Sequence, residues 1–211
     1  GIRFHLFNEL SYDIFRPFAD DSHGEITEAY RFHACLHFLM MLGYEEPVWD
    51  TQDPIVQGLP TEGPVAILDY GCGLAQASRG LAMLLRDRGQ QVSLTLVDFP
   101  TIRKPFLAWM GERMGIAVSN LDVTPEDPIP ELPDCHVCFA TEVFEHMHDP
   151  LPAFERIDKS LVSGGFLLTD VADHRDEFMH VSPNLAALRD RLTDFGYTAL
   201  RRNRVFRKSA G

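Results

Sequence analysis

Residues Val65 to Leu74 read VAILDYGCGL, an apolar run that ends in an acid and then breaks into glycines. Val65, Ala66, Ile67 and Leu68 are continuous rather than alternating, which predicts a parallel strand covered on both faces. A strand that stops at Asp69 and turns through Gly71 and Gly73 brings bare backbone close to a ligand, because glycine has no Cβ to hold it away. Leu74, Ala77, Leu81, Leu84 and Leu85 then recur at helical spacing, and Gly89 stands where a helix C-terminal cap belongs. Val92 to Val97 is a second apolar strand, ending at Asp98. The pattern is a β-α-β unit with an acid at the carboxyl end of each strand, where open α/β sheets bind ligands.

Glycine spacing separates the cofactor classes that use such a unit. The dinucleotide fingerprint GxGxxG/A needs a small sixth residue so that helix and strand pack closely. Here the frame is Gly71, Cys72, Gly73, Leu74, Ala75, Gln76, and glutamine in sixth place argues against NAD or FAD. Read instead as DxGxGxA from Asp69 to Ala75, the segment resembles motif I of the class I S-adenosylmethionine-dependent methyltransferases. Ala75 stands where many members of that family have a third glycine.

The resemblance continues downstream, over roughly residues 62 to 172. It implies that Asp69, Tyr70, Gly71, Cys72 and Gly73 form the cofactor loop, that Asp98 holds the ribose hydroxyls, and that Phe99 lies against the adenine. A third strand, Ala117 to Leu121, ends at Asp122, which matches the family's acid near the adenine amino group, with Val123 beside it. A fourth, Cys135 to Ala140, runs into Thr141-Glu142-Val143-Phe144-Glu145-His146, which looks like the EVLEH segment common there; Thr141 and Glu142 join the implied cofactor residues. Asp149-Pro150 opens a helix with Leu151, Phe154, Ile157 and Leu161 inward, and Gly164-Gly165 leads into a fifth strand, Phe166 to Val171.

Composition fits one domain with a full core: 211 residues, 45% apolar. Nothing resembles a signal peptide, and no apolar run approaches the roughly 20 residues of a membrane span. The chain begins at Gly1 rather than methionine, which leaves it open to being a piece of a longer protein. Cys35, Cys72, Cys135 and Cys138 suit a reducing compartment better than a disulfide framework, so a cytoplasmic location is expected. With 19 basic against 31 acidic residues the net charge is −12, which opposes a phosphate backbone and makes nucleic acid an unlikely partner. Arg201, Arg202, Arg204, Arg207 and Lys208 crowd the last segment and are read as the charged rim of an edge hairpin around Asn203.

Residues 1–60 are expected to form an N-terminal helical cap and linker, and 61–211 the cofactor-binding domain. Ser22 with Glu25 has the form of a capping box for a helix running to Leu42, with Gly43 as its stop. Asn8, Tyr12, Phe15, Phe18 and Tyr30 would populate a cap over the reaction site, and Trp49 to Pro60, with its prolines, reads as a linker. At the other end, Asn184 to Phe195 is a helix with Leu185, Leu188 and Leu192 inward and Gly196 as its stop. Tyr197 to Leu200 and Val205-Phe206 make the closing hairpin. The expected architecture is a doubly wound, mainly parallel α/β sheet of seven strands, the Rossmann-like methyltransferase fold, under a helical cap.

Several constellations carry weaker chemistry. Cys135 and Cys138 have CxxC spacing, yet strand residues three apart point to opposite faces and could not share a metal. His33 and His37 lie one helical turn apart without an identifiable third ligand. Cys72 needs only to be small. Glu142, Glu145 and His146 would share a face if their segment were helical, and ExxEH resembles the metal site of some metal-assisted O-methyltransferases; no metal is assigned.

The family's mechanism is in-line displacement of a sulfonium methyl, so that the protein contributes alignment, desolvation and removal of a proton from the acceptor. Candidate bases are His146, after the fourth strand, and His174 and His180, after the fifth. The resemblance implies S-adenosylmethionine as cofactor and a small-molecule acceptor, with O-methylation favoured. Alternatives are a cofactor-binding module of a longer protein that has lost transfer activity, and a metal-assisted RNA-terminal methyltransferase. The pattern carries no signal of oligomeric state.

Overall fold

The computed structural model describes residues 49–101, 103–124, 126–173, 181 and 185–210. The Ser22/Glu25 capping box, the aromatic cap residues, His33, His37, His174 and His180 lie outside the described residues.

Helix α1 (Trp49–Gly58) precedes strand β1 (Val65–Tyr70), then come α2 (Gln76–Asp87), β2 (Val92–Asp98), α3 (Arg103–Met114), β3 (Ala117–Asp122) and β4 (Cys135–Ala140). A 3-10 turn (Phe144–His146), α4 (Leu151–Ser160), β5 (Leu161–Thr169), α5 (Ala186–Asp194), β6 (Thr198–Arg201) and β7 (Val205–Arg207) complete it. The sheet has seven strands in the order β3-β2-β1-β4-β5-β7-β6. Strands β1 to β5 run parallel, and β7 reverses against β5 with β6 outside it.

Strand β1 lies centrally because its residues tolerate cover on both sides. Val65, Ile67 and Leu68 are all but inaccessible, and they divide between two apolar clusters, one on each face of the sheet. The order reverses at β1, whose neighbours are β2 and β4, so the loops after β1 and β4 part at that point and leave a crevice.

Two elements differ from the sequence expectation. The 49–60 segment is largely helical despite Pro54, with Ile55 fully buried and Leu59 nearly so; packing of that apolar edge, where a Cβ on Gly58 would overlap the Phe166 ring, outweighs the proline signal. Strand β5 begins at Leu161, five positions before Phe166, and ends at Thr169 rather than Val171.

That early start comes with a break in the pairing of β4 with β5, where two steps along β4, Cys135 to Val137, match five along β5, Leu161 to Phe166. At this irregular strand start Cys135 and Cys138 pack into the same buried cluster, not on opposite faces as simple alternation predicts. The neighbouring Cys138 thiol, with Ser160 Oγ at 3.6 Å, holds Cys135 below the usual thiol range, while burial pushes Cys138 well up.

The edge hairpin is present, turning through Asn203 at φ +59°, with β6 exposed along its length and Arg201, Arg202 and Arg204 around the turn. Cys72, Cys135 and Cys138 are free and buried. No helix among the described residues is long and apolar enough to cross a membrane.

Candidate cofactor-binding site

The turn after β1 is shaped by backbone conformation. Gly71 sits at φ +69°, and a Cβ there would overlap Val143 Cγ2 from the loop after β4, so the two loops that border the crevice touch through a bare Cα. The amides of Gly71 and Cys72 both reach Val97 O of β2, at 2.8 and 3.2 Å. Ala75, in the slot of the family's third glycine, is left-handed at φ +53° and caps α2. Asp69 is buried at the strand end and accepts a hydrogen bond from Ser78 Oγ of α2, which ties the loop to the helix behind it.

Asp98 and Asp122 are register partners at the ends of β2 and β3. Asp98 Oδ2 accepts from Gly73 N at 2.8 Å and lies 3.9 Å from Cys72 Sγ. Its Oδ1 accepts from Phe99 N at 2.7 Å and from Arg103 Nη2 at 2.8 Å. The ion pair is nearly out of solvent, the Arg103 side chain being 6% and that of Asp98 16% exposed. Asp122 is held by Lys104 Nζ, 2.8 Å from each carboxylate oxygen, in a more open setting.

Of the residues expected from sequence, Cys72, Gly73, Asp98, Phe99 and Asp122 line one cleft together with Leu96, Leu107, Arg103 and Lys104. The remaining expected residues flank that cleft or sit behind it. Tyr70 turns its ring into the core, where burial first and the neighbouring Cys138 and Asp127 next push its phenol up to about 12. Gly71 is exposed at the turn, and Val123 follows Asp122 with its amide on Asp98 O at 3.0 Å. Thr141 is half-buried, and Glu142 is exposed and left-handed at φ +53°.

The ExxEH segment is not an α-helix. A single 3-10 turn spans Phe144–His146, so Glu142 lies outside it, Glu145 is fully buried and His146 half-buried. The three side chains therefore do not share the helical face that would have gathered them, and no cluster of three or more potential metal-ligating side chains occurs among the described residues. Cys72 is equally unsuited to nucleophilic work. Burial, Asp98 and Asp69 push its thiol well above the ordinary range and keep it protonated.

Arg103 and Lys104 are the site residues that sequence reasoning missed. They open α3, whose buried positions are Arg103, Leu107, Gly111 and Met114. An arginine and a glycine occupy slots where apolar residues would have announced a helix, so periodicity was silent. Gly111 is required by close approach, since a Cβ there would stand 2.5 Å from Val118 Cγ2 of β3.

No family model matches the chain, and no curated protein matches it by sequence. Solved structures match by shape. An O-methyltransferase family 2 protein from Planctomyces limnophilus, in complex with apigenin, superposes with a TM-score of 0.57 at 14% identity over 92% of this chain and 67% of its own. An S-adenosylmethionine-dependent methyltransferase from Aquifex aeolicus gives 0.53 at 17% identity, over 81% of this chain and 96% of its own. The fold is that of the class I S-adenosylmethionine-dependent methyltransferases. This methyltransferase fold also carries the [4+2]-cyclase SpnF, which matches with a TM-score of 0.55 at 18% identity over 84% of this chain and 73% of its own. The chain thus spans about two thirds of the length of the Planctomyces protein.

Proposed function

We propose that this chain is an S-adenosylmethionine-dependent methyltransferase that acts on a small-molecule acceptor, with an oxygen as the favoured accepting atom. The observation that carries the reading is the pair of register-matched acids, Asp98 and Asp122, beside the Gly71-Cys72-Gly73 turn at the reversal of strand order. The residues fit an adenosine moiety. Asp98 would accept from the ribose hydroxyls, Leu96 and Leu107 offer apolar surface, and Asp122, one strand further out, would accept from an amino group.

When bound, S-adenosylmethionine supplies an electrophilic methyl group. Asp98 would orient the sugar, and the bare backbone of Gly73, which lines the cleft, would let the loop approach it closely. A hydroxyl acceptor must lose its proton, and His146, on the turn after β4, is the described candidate to take it, alongside His174 and His180. The Planctomyces O-methyltransferase with apigenin supports an acceptor of similar kind.

A second reading, a nucleoside-binding module without transfer activity, is favoured by SpnF, whose fold is put to a reaction other than methyl transfer. Calorimetry with S-adenosylhomocysteine followed by turnover assays on phenolic acceptors decides. Binding with turnover supports the enzyme; binding without turnover across diverse acceptors supports the module. No heat of binding up to about 1 mM ligand removes both.

A further inference from the structure

A carboxylate offers about four lone-pair sites. Those of Asp98 face four donors of its own chain: Gly73 N, Cys72 Sγ, Phe99 N and Arg103 Nη2. Two of these are backbone amides fixed by the turn and the strand end, and a thiol at 3.9 Å is a weak donor. Arg103 is the one strong donor on a side chain that can swing. Its Nε is steadied by Thr101 Oγ1 at 3.0 Å, which aims the guanidinium at Oδ1.

Building on the nucleoside site proposed above, we infer that Arg103 is an internal competitor for the ribose. The sugar hydroxyls and the Arg103 guanidinium claim the same oxygen of Asp98, so a nucleoside enters by displacing Arg103. The affinity of this chain for its cofactor is set lower than the loop and the acids alone would give. The ion pair is nearly dry, so the displaced bond is a charge-assisted one and its loss is felt in full.

The test is calorimetry of S-adenosylhomocysteine with the wild-type chain and with Arg103→Met, which keeps the apolar stem and removes the guanidinium. The expected result is a dissociation constant at least tenfold lower for the variant. A role for Arg103 in merely holding the site together would give the opposite sign. As a further discriminator, the gain should appear for adenosine and vanish for 2′,3′-dideoxyadenosine, which has no hydroxyls to compete.

Should Arg103→Met fail to fold, Thr101→Val loosens the guanidinium while leaving both charges in place, and it should tighten binding two- to threefold. A folded Arg103→Met that binds no more tightly than wild type, or in its absence a Thr101→Val that binds no more tightly, overturns the inference while leaving the nucleoside site standing. Absence of binding by wild type and variants alike overturns the nucleoside site itself.

Discussion

Asp98 and Asp122 stand side by side at the ends of β2 and β3, and each is met by its own cation from consecutive positions of α3, Arg103 and Lys104. Like charges on neighbouring strands repel. One helical turn answers both. The two pairs differ in weight: the Arg103 pair is nearly dry, so breaking it by removing one partner costs about 3–5 kcal/mol. The Lys104 pair is open to water and contributes about 0–1 kcal/mol.

Replacing Asp98 by Asn keeps the shape and removes the charge. Hydrogen bonds to charged groups contribute about 1.5–3 kcal/mol each, so binding of S-adenosylhomocysteine should weaken at least about tenfold. Titration calorimetry measures it, and wild-type affinity in the Asn variant would remove Asp98 from the ribose role.

Gly71→Ala should destabilise the fold by about 2 kcal/mol or more, combining a left-handed L-residue with a collision against Val143. The double variant with Val143→Ala should recover the collision part and leave the conformational part. Urea denaturation of the four proteins of that cycle separates the two.

Tyr70 Oη is buried and has no hydrogen-bond partner among the described residues. Tyr70→Phe should therefore be neutral or stabilising by about 1 kcal/mol in chemical denaturation. The phenol also makes an alkaline prediction. Burial pushes it up to about 12 in the folded state, above the ordinary tyrosine value of 10.0, so the folded state retains the proton longer. Stability is independent of this group below pH 10 and falls as pH rises from 10 towards 12, by roughly 1.4 kcal/mol per pH unit, because only the unfolded chain can ionise the phenol there. The Phe variant should lose that slope.

Cys72 should resist iodoacetamide at pH 8 in the native protein, because its thiol is buried and held protonated. Mass mapping after native and denaturing alkylation reads this directly. Rapid native labelling at Cys72 would contradict the electrostatics described for the loop.

The central sheet was legible because β1, β2 and β4 are apolar runs with buried cores, because β3, though only partly covered, ends in an acid as β2 does, and because the limits of all four fall within a residue of those read from sequence. The two acids and the glycine turn were legible for the same reason: strand ends and turns have strong local signatures. Helix α3 was not, because its core-facing slots hold Arg103 and Gly111. Tertiary pairing with Asp98 and close packing on Val118 justify those residues, and neither is visible in a local window. Simple alternation puts the Cys135 and Cys138 thiols on opposite faces, because an irregular strand start leaves no mark in composition. The Glu142 to His146 segment resembles a helical face in one dimension only; its backbone turns left-handed at Glu142 before the short turn begins.

Ala75 and Glu142 are two of the three non-glycine residues with positive φ among the described residues, and they sit on the loops after β1 and β4. Each such residue costs roughly 1–2 kcal/mol. Efforts to make this chain hardier against heat would do well to begin at Glu142, whose side chain is exposed and gives up no packing on replacement by glycine, whereas the methyl group of Ala75 belongs to the core. Tolerance of heat and the shape of the crevice are thereby linked at the same few peptide units.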